Sequence, residues 1–184
     1  MNRSFALTGS MLFLAGLAVL AFAVEPPAET KKASDSAKPA EAAVERSRKT
    51  VRMLDDIFKQ TVVLITDKYV NDTDDFAAGS AAVLLFKNIS KAGHQQVRLL
   101  DASGQPYEKA NVAKDAFEKE GIKRMKAGET FYEEVVKKDG KYELRAMTPV
   151  PVVMDKCVMC HAHYAEAKKK GEVVGAISYI IPIE

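Results

Sequence analysis

The sequence predicts an α+β domain built around an antiparallel sheet. Three observations lead there: a long run of helical period near the start of the folded part, a hairpin turn between two short strand-like runs, and an apolar, β-branched closing segment.

Residues 45–71 contain neither Gly nor Pro, and Val51, Leu54, Phe58, Val62, Ile65 and Tyr69 advance by three or four along one stripe. Met53, Ile57 and Leu64 form a second stripe, so this long helix must touch its own core and something else, either a partner helix or a bulky cofactor. A second helix is expected over 81–91, started at Gly79-Ser80 and ended at Gly93. The period then shortens to that of a strand over 96–101, closed by the turn 102–106. A third helix over 115–126 turns Phe117, Ile122 and Met125 inward. Two strands over 130–137 and 142–150 flank Asp139-Gly140, a strong hairpin signal, and Pro149 and Pro151 stop the second. Residues 173–183 read as a buried strand. The order is helix, helix, strand, helix, hairpin, irregular segment, strand.

The full chain has 184 residues, 47% hydrophobic and 28% charged, with 27 Lys+Arg against 25 Asp+Glu. That length holds one domain plus extensions. A net charge of +2 argues against a nucleic-acid binder, whose footprint is a strong basic excess. Residues 1–23 read as a signal peptide: Arg3 supplies the positive start, residues 11–22 carry no charge, and Ala21-Phe22-Ala23 offers the small-x-small site for cleavage after Ala23. The alternative is a membrane anchor over residues 5–24, and on either reading the remainder is exported, as to a periplasm. Residues 24–44, rich in Ala, Pro, Glu, Lys and Ser, read as a flexible linker, with helix starting near Pro39. The folded domain is therefore expected over 45–184.

Both cysteines of the chain fall in Cys157-Val158-Met159-Cys160-His161, a C-x-x-C-H run. This spelling serves covalent attachment of haem c. Two thiols three positions apart on one turn can each add across one vinyl group of the porphyrin. The histidine that follows is then directed beneath the ring as a metal ligand to iron. A redox dithiol is the main rival, but that motif belongs near the start of a βαβ unit. A zinc site needs about four ligands, and there is no second cysteine pair.

The sixth ligand of such an iron stays open at this stage. Met53, Met125, Met147, Met154, Met159, His94 and His163 are the remaining donors. Met159 lies inside the attachment loop, and His163, two residues past the proximal ligand, reads as solvent-exposed. Met53 on the second stripe is the most interesting, although a methionine there is more often core filler; His94 beside Gly93 reads as a cap-region residue. Asp55-Asp56 and Asp74-Asp75 read as surface and loop acids, and Lys168-Lys169-Lys170 as a solvated helix face.

With the motif placed, the chain resembles the family of exported single-haem proteins catalogued as a c-type haem domain of unknown function. The resemblance is carried by residues 51–70 (VRMLDDIFKQTVVLITDKYV), 97–101 (VRLLD), 111–118 (NVAKDAFE), 147–150 (MTPV), the C-x-x-C-H run and 175–178 (GAIS). It departs from the family pattern at Ala113, where proline is common, and at Ala162, where glycine is frequent. What it implies is a PAS/Cache-like antiparallel sheet flanked by helices, with haem held against it.

Two functions are then expected of the domain: redox or small-ligand sensing through the haem, and, as the alternative, soluble electron transfer. Either needs a redox or signalling protein partner. The second stripe of the first helix points to a homodimer. No Ser/His/Asp set, phosphate-cradling glycines or distal acid–base pair appears, so the chain does not read as an enzyme.

Overall fold

The computed structural model describes residues 38–184 apart from Asp74 and His94. The signal segment 1–23, most of the tether, and the readings of Asp74 and His94 lie outside the described residues.

Four strands form one antiparallel sheet in the order β1-β4-β3-β2: β1 Gln96–Asp101, β2 Tyr132–Lys138, β3 Lys141–Pro151 and β4 Val173–Pro182. The closing strand is central. Paired on both sides and covered on both faces, β4 is buried almost throughout, which is why it reads as a continuous apolar run. The hairpin turn holds Asp139 and Gly140 both at positive φ (50° and 77°), as the twist of the flanking strands demands.

Side chains alternate between two helical layers. On one face, Val97, Leu144, Ala146, Ile177, Tyr179 and Ile181 pack against α1 (Glu41–Tyr69) and α2 (Ala78–Lys91), through Val44, Val51, Phe58, Ala82 and Phe86. On the other, Leu100, Met147 and Ala176 meet Phe117 and Met125 of α3 (Ala116–Lys126). Gly121 lets α3 close on the sheet, because a Cβ there would run into the Met147 sulfur. Asp115 caps this helix by accepting the Glu118 N–H at 2.9 Å.

Four expectations need correction. The packed chain begins at Glu41 rather than 45: Ala43, Val44 and Ser47 are buried, and Ser47 Oγ donates to the Pro182 carbonyl at 3.2 Å. The first stripe stops short of Tyr69, which is exposed. Pro149 does not end β3, because β2 terminates opposite Met147 and leaves that side of β3 without a neighbour needing an N–H. Asp55 is not a surface acid. It accepts hydrogen bonds from Thr148 Oγ1 (2.5 Å) and Tyr179 Oη (3.0 Å) and pairs with Lys59 (2.8 Å), its side chain 14% exposed. Burial, and then the Asp55 charge, push the Tyr179 hydroxyl well above the ordinary phenol range, so it stays protonated as donor.

Asp55→Ala should cost about 2–4 kcal/mol in urea unfolding, since it leaves the Tyr179 hydroxyl, on a residue 0% exposed, without an acceptor. A loss below about 1 kcal/mol would show that those hydroxyls find other partners.

Candidate haem-attachment site

The C-x-x-C-H run forms a short helix, α4 (Asp155–Cys160), with His161 at its C-cap. The i, i+3 spacing puts both sulfurs on one side of a single turn. Both thiols are free and half-buried.

Three tethers hold this turn. Lys156 Nζ donates to the Asp67 carbonyl at 2.8 Å and the Thr66 carbonyl at 3.4 Å, seating a cation on the carbonyl end of α1. Lys168 of α5 (Ala165–Lys170) pairs with Asp155, so part of the lysine run holds the motif rather than solvating a free helix face. Tyr107 Oη donates to the Cys160 carbonyl at 3.0 Å.

Tyr107 comes from residues 102–115, a segment pinned by Arg98. That guanidinium donates to the Ala110 and Val112 carbonyls (2.9 and 3.3 Å) and bonds the buried Glu118 at 2.7 and 2.8 Å. At the head of the segment Asp101 accepts from Ser103 Oγ and the Gly104 N–H.

His161 sits among aromatic rings. Tyr164 stacks on it at 4.6 Å and 9°, Tyr107 at 4.5 Å and 23°, and His163 meets it edge-on at 5.7 Å. Burial, then the neighbouring His163, lower the His161 pKa, so near neutral pH the ring carries no proton charge, the form in which imidazole binds a metal. Its Nδ1 is buried without a hydrogen-bond partner among the described residues. The Tyr164 hydroxyl is pushed up to about 12, chiefly by burial.

The structure therefore brings Cys157, Cys160 and His161 together on one turn. Two free thiols and a neutral imidazole make a donor set that fits a covalently attached iron porphyrin. His163, expected in solvent, is instead half-buried against His161, Tyr107 and Tyr164, with Nε2 buried and unpartnered. Tyr107 and Tyr164 were missed, since nothing in the sequence marks two tyrosines as neighbours of a histidine. The other donors are scattered. Met125 and Met147 lie in the α3 core, Met159 is exposed, and Met154 precedes α4 half-buried. Met53 is exposed, about 20 Å of helix rise from Thr66, where the motif is tied. Beside the motif, a cavity of about 370 Å³ opens between Ser103, Lys126, His163, Tyr164 and Glu172. Among the described residues no helix is long and apolar enough to cross a membrane.

A four-stranded antiparallel sheet with helices on both faces, and a C-x-x-C-H turn fastened to the end of its longest helix, defines an α+β domain. The chain belongs to the Tll0287-like family, whose model matches residues 30–182. A solved structure, the cyanobacterial heme-protein Tll0287, is similar with a TM-score of 0.56 at 15% identity, over 75% of this chain and 95% of that one. At that identity the likeness is one of fold. No curated protein matches the chain.

The lowered His161 pKa has a stability consequence. The unfolded chain binds this proton more tightly than the folded one, so His161's contribution is intact above about pH 6.5 and is lost as pH falls through the folded value. In the haem-free chain, the His161 ring resonances should titrate below free histidine by NMR. A midpoint at or above that of free histidine would contradict the burial of the ring.

Proposed function

We propose that this chain is an exported haem c protein, with the porphyrin bonded through Cys157 and Cys160 and His161 ligating iron. The observation that carries the reading is the donor set itself: two free thiols on one helical turn, followed at once by an uncharged imidazole whose Nδ1 has no partner among the described residues. Membership of a family whose structural relative is a haem protein supports it. Attachment needs no oxidant, since each S–H adds across a vinyl C=C, sulfur bonding one carbon and hydrogen the other. Bound haem supplies one-electron exchange at iron and a coordination position for a diatomic ligand. The chain's own part is to tether the porphyrin by two sulfurs, hold the imidazole neutral and cover its faces with tyrosine rings.

Of the two functions, redox or small-ligand sensing is the better supported. Met53, Met125 and Met147 all lie away from the motif, which favours a sixth position that a small molecule can enter. Electron transfer to a partner protein is the alternative, and no turnover of a substrate is assigned to the chain. Export, with cleavage after Ala23, accords with thioether haem, which is made outside the cytoplasm.

Intact mass of protein matured in an exporting host competent for haem c should equal residues 24–184 plus one haem, and Cys157→Ser with Cys160→Ser should abolish haem staining on a denaturing gel. Retained staining refutes the attachment. The ferrous absorption spectrum should shift on adding carbon monoxide. An inert six-coordinate spectrum decides for electron transfer.

The second stripe of α1 supports a homodimer. Met53, Ile57 and Leu64 are 56%, 51% and 57% exposed, a cost a second copy of the helix would relieve. Sedimentation should give a dimer for the native chain and a monomer for Leu64→Glu; a monomeric native chain ends the idea.

A further inference from the structure

Metal-binding imidazoles are ordinarily steered through their second nitrogen, which donates to a carboxylate or a backbone carbonyl and so fixes ring rotation and tautomer. His161 is not held that way. Its Nδ1 is buried with no partner among the described residues, and Asp101, the acid whose charge reaches the ring, is occupied by Ser103 Oγ and the Gly104 N–H.

The ring is held by its faces instead. Tyr164 and Tyr107 both lie near-parallel to it within 4.6 Å. Two six-membered rings cannot stack on one face of an imidazole without overlapping each other, so they occupy its two faces, and His163 closes one edge. The ring is left free to turn only within the plane of that sandwich.

Tyr164 belongs to the motif's own turn and would be near His161 in any folded form. Tyr107 arrives from a different part of the chain and is fastened twice, by its hydroxyl on the Cys160 carbonyl and by the Arg98 contacts that fix the loop behind it.

We propose that Tyr107 is a positioning residue for the iron ligand: with Tyr164 it clamps the His161 imidazole by its faces, in place of the absent hydrogen bond at Nδ1. The clamp leaves ring edges available to a metal, because stacking occupies only the faces. This rests on the reading of His161 as the axial ligand.

The two roles of Tyr107 separate cleanly. Tyr107→Phe keeps the ring and removes the hydroxyl, whereas Tyr107→Ala removes both. Tyr107 is 70% exposed, so neither variant should lose the fold, which an unchanged urea midpoint checks. In the haem-free chain, the His161 ring protons should keep their stacked, upfield NMR shifts in Tyr107→Phe and move toward free histidine in Tyr107→Ala. In the haem-loaded protein, the ferric electron paramagnetic resonance g-values and the midpoint potential should stay native in Tyr107→Phe and shift in Tyr107→Ala.

Native g-values and potential in Tyr107→Ala overturn the proposal, even if the haem-free shifts move. Equal effects of the two variants overturn it as well, since the hydroxyl and not the stacked face would then do the positioning. Failure of the haem reading looks different: the native chain acquires no haem, while the haem-free resonances still report whether the rings stack.

Discussion

The path of the segment that carries Tyr107 to the motif depends on one ion pair, Arg98 with Glu118. Glu118, on the first turn of α3, is buried, and it is tolerable there because Arg98 meets both its oxygens while the Lys114 N–H donates to it at 2.8 Å. A bridge like this adds modestly to net stability, because desolvating both charges offsets most of their attraction. Its larger effect is on geometry. With one end of the guanidinium committed to Glu118, the other binds two carbonyls of the segment 102–115, and a long connection that could wander over the surface takes a single path. Tyr107 travels with it. Sheet, loop and the C-x-x-C-H turn are thus coupled through this pair.

A second polar node stands on the other side of the sheet. Asp55 gathers Thr148, Tyr179 and Lys59, so α1 is fastened to β3 and β4 by directional bonds as well as by apolar packing. Apolar contacts alone would let a long helix slide by a turn at small cost, whereas a shared acceptor for two hydroxyls fixes its register. Register matters here because the carbonyl end of α1 seats Lys156, and Lys156 sits in the turn that bears the cysteines. The position of the thiols follows from where α1 stops.

Much of this was legible in the residues. Helical spacing, the Asp139-Gly140 turn and the β-branched end located each element, because those signals are local. The C-x-x-C-H spelling is local as well, and its five residues lie on the single turn of α4 and its C-cap. Asp55 was misread because an acid on a helix looks like solvent-facing charge, and its hydroxyl partners lie 93 and 124 positions away. Tyr107 was missed through the same non-locality, and it is also the distant ring that helps bury His163. The folded domain was expected to begin at 45, past the first residues of α1, because Ala-rich composition with flanking Pro resembles a tether, while what orders the start of α1 is the distant Pro182 carbonyl and the ends of β2 and β4. Pro149 was read as a terminator by a rule for paired strands, and it sits where the pairing has already run out.

The outermost strand bears on how molecules of this chain can associate. Residues 132–138 read Tyr-Glu-Glu-Val-Val-Lys-Lys, with most side chains exposed along a sheet margin whose backbone groups have no further strand beside them. Adding a further strand here would strip water from the exposed Glu134, Lys137 and Lys138, and that desolvation offsets part of the backbone bonding gained. This margin is thereby less open to strand addition than an apolar one of the same length.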